Sequence, residues 1–104
     1  MEGKGVFIAG GLTDEQAANE EIQTIVDKIR PQLEEKMNRT FKVFEAIRYR
    51  SQVVAGTNFF VKVKVDVDCY IHVRIYRHLP PNGERLEVSD YQVNKSLEEK
   101  IEYF

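Results

Sequence analysis

Tryptophan is absent from these 104 residues, and cysteine occurs once, as Cys69. A single thiol closes no intramolecular disulfide, which excludes a disulfide-stapled scaffold. Three prolines and six glycines are too few for a collagen-like or Pro/Gly-rich low-complexity chain. No apolar run approaches the roughly 18–20 residues of a membrane span. An excess of one charge is missing too: fifteen Lys and Arg are interleaved with seventeen Asp and Glu. The pI of about 5.7 and the brevity of the densest basic stretch, Arg48-Tyr49-Arg50, argue against nucleic acid as a partner. Met1 to Leu12 lack the basic, apolar, small-residue layout of a secretory leader. Together with the lone thiol, this predicts a cytoplasmic protein with no membrane partner. The length fits one domain over 1–104.

What is present is strong periodicity. Residues 1–10 hold Gly3, Gly5 and Gly10 around Val6, Phe7 and Ile8, and read as a flexible N-terminal trunk. Ile22, Ile25, Val26, Ile29, Leu33 and Met37 recur at offsets of three and four, which predicts a helix over about 20–37. Asn19 is the preferred N-cap, with Thr13 and Gln16 as an earlier alternative. Pro31 removes a backbone donor inside this helix, yet the apolar stripe continues in phase, so one kinked helix is expected rather than two.

The period then changes to two. Phe41, Val43, Ile47, Tyr49 and Val53 share one parity of a first strand. Phe59, Val61, Val63 and Val65 alternate with Phe60, Lys62, Lys64 and Asp66 in a second. A third carries Ile71, Val73 and Ile75 against His72, Arg74 and Tyr76, and a fourth takes in Leu86, Val88 and Val93. Leu79-Pro80-Pro81-Asn82-Gly83 is a turn. One helix followed by strands joined by short turns predicts an α+β fold, with the helix packed on an antiparallel sheet.

Few residues carry chemistry. Cys69 with His72 or His78 suggests a thiol–imidazole pair, but His72 points to the opposite face of its strand. His78 is about 30 Å further along it, at about 3.3 Å per residue. Two histidines with no compact ligand cluster give no metal site, and no cofactor motif is visible. No enzymatic activity is expected.

The local rules break at the turn between the first two strands. Hairpin tips favour Asn, Asp, Gly and Pro. Here Gln52-Val53-Val54-Ala55-Gly56 offers only Gly56 as a turn residue, and two valines sit near the tip. Such departures concentrate at functional sites. Leu79-Pro80 adds a rigid apolar tip, and alternate tips of a meander can meet at one end of the sheet. The competing reading is that Val53 and Val54 simply extend the strands inward.

Gln52-Val53-Val54-Ala55-Gly56 resembles the first-loop motif of the cystatins, and the chain is most similar to the stefins, the type 1 branch. Gly10-Gly11-Leu12 resembles the family's N-terminal glycine region, with Gly10 taken as the key glycine. Ile25-Val26-Asp27-Lys28 and Pro31-Gln32-Leu33-Glu34-Glu35-Lys36 resemble its helix, Leu79-Pro80 its second loop, and Tyr91-Gln92 and Tyr103-Phe104 its C-terminal region. The likeness covers roughly residues 8–104. It departs in the nine residues before Gly10 and in Pro81.

The resemblance implies a cystatin-like fold, with one long helix on a curved antiparallel sheet. It also implies reversible, tight-binding inhibition of papain-like cysteine proteases such as papain and the cathepsins. The trunk would lie along the non-primed subsites with Ile8, Ala9 and Gly10. Gln52, Val53, Val54, Ala55 and Gly56 of one loop, with Leu79 and Pro80 of the other, would fill the primed side. A monomer is expected, with strand or domain exchange as its route to a dimer. The alternative is a non-inhibitory cystatin-fold domain that binds another protein.

Overall fold

The computed structural model describes residues 11–81 and 85–104. The expected trunk, residues 1–10, lies outside them. Strand β1 (Gln16–Ala17) is followed by helix α1 (Glu20–Met37) and strands β2 (Glu45–Val54), β3 (Gly56–Asp66), β4 (Cys69–Arg77) and β5 (Leu86–Lys95). Among the described residues the strands form one antiparallel sheet in the order β1-β2-β3-β4-β5.

The sequence places both ends of α1. Asn19 Oδ1 accepts the Ile22 N–H at 2.9 Å, satisfying one of the free donors of the first turn. Asn38 closes the other end at φ 54°, where its N–H reaches the Glu35 carbonyl. The helix runs through Pro31 without interruption. Pro31 and Asp27 both lie on the exposed face, where water can take up the carbonyl that the missing N–H leaves. The opposite face buries Ile22, Ile25, Val26, Ile29 and Leu33 against Phe59, Val61, Val63 and Val65 of β3 and Ile71, Val73 and Ile75 of β4.

Two glutamines fasten the helix to the sheet. Gln23 accepts the Ala46 N–H at 2.8 Å and donates to the Phe44 carbonyl at 3.0 Å. Gln32 accepts the Val88 N–H at 2.8 Å and donates to the Leu86 carbonyl at 3.1 Å. Each primary amide thus occupies backbone groups as a ladder partner would.

Three expectations about the strands are corrected. Four strands were expected and five are described, because Gln16 and Ala17 pair with Tyr49 and Arg48 as the short β1. The first of the expected strands begins at Glu45, not Phe41. Phe44 is buried and Val43 exposed, and a bulge between Ala46 and Arg48 moves Ile47 out of the alternation. The second face of β3 is also not a wet one. Phe60 and Lys62 are fully buried beneath the C-terminal segment, residues 96–104. Phe60 meets the rings of Tyr103 and Phe104, each at 5.6 Å. The Lys62 ammonium donates to the carbonyls of Ser96, Leu97 (2.8 Å) and Glu99 (2.6 Å).

Candidate functional site: two apolar tips at one end of the sheet

The β2–β3 ladder closes with Val53 opposite Thr57 and Val54 opposite Gly56, leaving Ala55 alone at the turn. Next along the sheet, Thr57 pairs with Arg77 at the end of β4. The second turn, starting at His78 and Leu79, therefore leaves the sheet beside the first. The His78 N–H donates to the Arg85 carbonyl at 3.2 Å and closes the base of that turn. From the other flank, the Thr13 N–H donates to the Ser51 carbonyl and Thr13 Oγ1 accepts the Ser51 N–H, both at 2.9 Å. Since β1 is antiparallel to β2, Thr13 lies nearer that end of the sheet than Gln16 does.

The tips are apolar and open. Val53 is 81% exposed, Leu79 55% and Val54 43%. The valines continue strand β2 to its end but do not turn inward: neither side chain belongs to the buried core. Gln52 is different. It is only 6% exposed, and its Oε1 accepts from Asn58 Nδ2 at 2.9 Å across the hairpin. It lies beneath the tip rather than on it.

Gly56 is shaped by its own protein. Its φ of +107° is a conformation L side chains rarely adopt, and a Cβ there would lie 2.5 Å from the Arg77 carbonyl oxygen and 2.6 Å from the Tyr76 hydroxyl. Tyr76 also donates its hydroxyl to the Ala55 carbonyl. In the alternation of its strand Tyr76 falls on the parity of His72 and Arg74, and nothing local marks it as a tip residue. The available signal was Gly56 itself, the one glycine in an otherwise apolar tip.

The charges near this end are neutralised locally. Arg77 pairs with Glu21 at 3.2 Å and lies over the Phe59 ring at 4.9 Å. His78 Nε2 and Glu87 Oε2 are 2.6 Å apart, and Arg85 Nε reaches the same oxygen at 3.1 Å. The hydrogen bond from His78, aided by Arg85, holds the Glu87 carboxyl below the usual carboxylate range. Cys69 opens β4 and His78 follows its far end, so the strand's length separates thiol from imidazole. Among the described residues no group of three or more His, Cys, Asp or Glu could hold a metal ion, and no helix is long and apolar enough to cross a membrane. Ile8, Ala9 and Gly10 lie outside the described residues; Gln52, Val53, Val54, Ala55, Gly56, Leu79 and Pro80 gather at this one end.

Residues 10–98 match the model of the cystatin domain. The chain belongs to the cystatin family. Leukocyte cysteine proteinase inhibitor 1 of Sus scrofa is 48% identical over 98 residues, covering 94% of this chain and 95% of that protein. Stefin-C of Bos taurus is 45% identical over 95 residues, covering 91% and 94%. Cystatin-A of Homo sapiens is 44% identical over 98 residues, covering 94% and 100%. This cystatin thus aligns with its relatives over nearly their whole length. The expected architecture of one helix on an antiparallel sheet is the observed one.

Proposed function

We propose that this cystatin is a reversible, tight-binding inhibitor of papain-like cysteine proteases, papain and cathepsins among them. One observation carries the reading: two exposed apolar hairpin tips stand side by side, with Thr13 held on the flank of the first hairpin just below its tip. Such a wedge suits a cleft rather than a flat partner. Val53, Val54, Ala55, Leu79 and Pro80 make the contacts on the primed side, and Ile8, Ala9 and Gly10 those on the non-primed side. Gln52 and Gly56 act from beneath by fixing the shape of the first tip. Burial of apolar surface, at about 25 cal/mol per Å², drives the association. Arg77, His78 and Arg85 near the tips are already paired with Glu21 and Glu87, so affinity depends weakly on salt. The inhibitor works by occupying the cleft and performs no chemistry of its own. Residues 1–104 act as one unit, monomeric and cytoplasmic, and the lone thiol suits a reducing compartment.

Titration of papain in reducing buffer with a fluorogenic peptide tests this, alongside a variant lacking residues 1–10. Stoichiometric, reversible inhibition that weakens on truncation is the expected result. An intact, folded protein that leaves papain fully active at micromolar concentration would overturn it.

A further inference from the structure

The two tips are separate turns, yet a continuous set of contacts joins them. Ala55 is the one residue of the first tip outside the strand ladder, and its carbonyl accepts the hydroxyl of Tyr76. The Tyr76 side chain also fills the space over Gly56: a Cβ there would lie 2.8 Å from its Cε1. On its other side the Tyr76 ring meets the ring of His78 edge-on, with centroids 4.7 Å apart at 66°. His78 Nε2 faces the Glu87 carboxylate at 2.6 Å. A carboxylate only accepts, so Nε2 carries the proton. Glu87 is held in turn by Arg85 at 3.1 Å, and Leu79, the exposed apolar residue of the second tip, follows His78 directly.

We propose that Tyr76 and His78 are positioning residues that lock the two tips into one docking unit. The proposal rests on the inhibitor reading. Two apolar tips that enter a cleft at a fixed spacing lose less freedom on binding than two independent turns. The lock therefore acts on how long a complex survives, since differences between related complexes lie mostly in dissociation. Tyr76 and His78 sit behind the tips and need not touch the protease.

Y76F removes the hydroxyl and keeps the ring. Its dissociation from papain is expected to be about 3- to 10-fold faster, the worth of one hydrogen bond, in a variant that remains folded with at most a small drop in melting temperature. The coupling is read by V53A and L79A, singly and together, in the wild-type and Y76F backgrounds. Their effects on dissociation are expected to be non-additive in the first and additive in the second. A cycle that is the same in both backgrounds would overturn the proposal, as would an unchanged dissociation rate for Y76F.

Backbone amide relaxation of the free protein supplies a readout independent of any protease. Y76F and H78A should each raise mobility at Ala55 and Gly56 and also at Leu79. Mobility raised at one tip alone would reduce the contacts to local packing and sink the lock. If the wild-type protein left papain active, the inhibitor reading would fail, and the relaxation data would still decide whether the tips are coupled.

Discussion

Val53 is the residue on which binding and folding separate most cleanly. Its side chain is almost entirely in solvent, so stability has little stake in its identity. Val53→Asp is expected to leave the melting temperature unchanged. It should weaken papain inhibition by at least about 2 kcal/mol, roughly 30-fold, because an unpaired charge enters a dry interface. Inhibitor titration and a thermal melt on the same sample check both halves. Gly56 behaves in the opposite way. Gly56→Ala forces a Cβ against the Arg77 carbonyl at a φ of +107°, so it should cost about 1–3 kcal/mol of stability. Denaturant unfolding measures that, and the displaced tip should inhibit less well. The sequence marked Val53 as out of place in a turn and Gly56 as the one ordinary turn residue, but could not show that the first is free of the fold and the second held by it. That distinction depends on Tyr76 and Arg77, which approach from a different strand.

The helix was readable almost to the residue, because every determinant of α1 is local: the Asn19 cap, the stripe from Ile22 to Leu33, the left-handed Asn38. The four long strands and their antiparallel pairing were readable, less so their ends and faces, and the two-residue β1 was too short to show any alternation. Nothing near Phe44 announces that β2 starts one residue later, and the bulge at Ile47 leaves no local mark. The burial of Phe60 and Lys62 arises from a segment more than thirty residues downstream, and no alternation pattern carries that information. The glutamine links were likewise invisible, since Gln23 and Gln32 look like ordinary polar helix positions. Gln32→Ala would leave the buried Val88 N–H without its acceptor. It is expected to destabilise the fold by about 1–3 kcal/mol, measurable as a lower denaturant midpoint with an unchanged slope.

Among the described residues, the sheet is covered on two sides by unlike means: an apolar helix face on one, and on the other a C-terminal segment that presents both aromatic rings and backbone carbonyls. His72 stands on that second face, 1% exposed, with both ring nitrogens unpaired. Burial, reinforced by the cations of Lys62 and Lys95 against the carboxylates of Glu99 and Glu15, lowers its pKa to about 4. The unfolded chain takes up this proton near pH 6.5, whereas the folded one resists it until about pH 4. Stability is therefore complete above pH 6.5 and falls as pH drops toward 4, by up to about 3 kcal/mol. Urea unfolding at a series of pH values should show this slope, and His72→Gln should flatten it.

The guanidinium of Arg50 holds the Thr13 carbonyl at 2.8 Å and the Ile101 carbonyl at 2.6 Å, while the Ile101 N–H donates to Glu15 at 2.7 Å. The segment leading to the trunk and the segment closing the outer face thus share one mooring. Trimming the chain from Ile101 onward would cast off half of it and unsettle residues 13–15 from behind. Wear at the carboxyl end of this protein would then register beside the tips, as an unsteady flank to the hairpin that carries Val53.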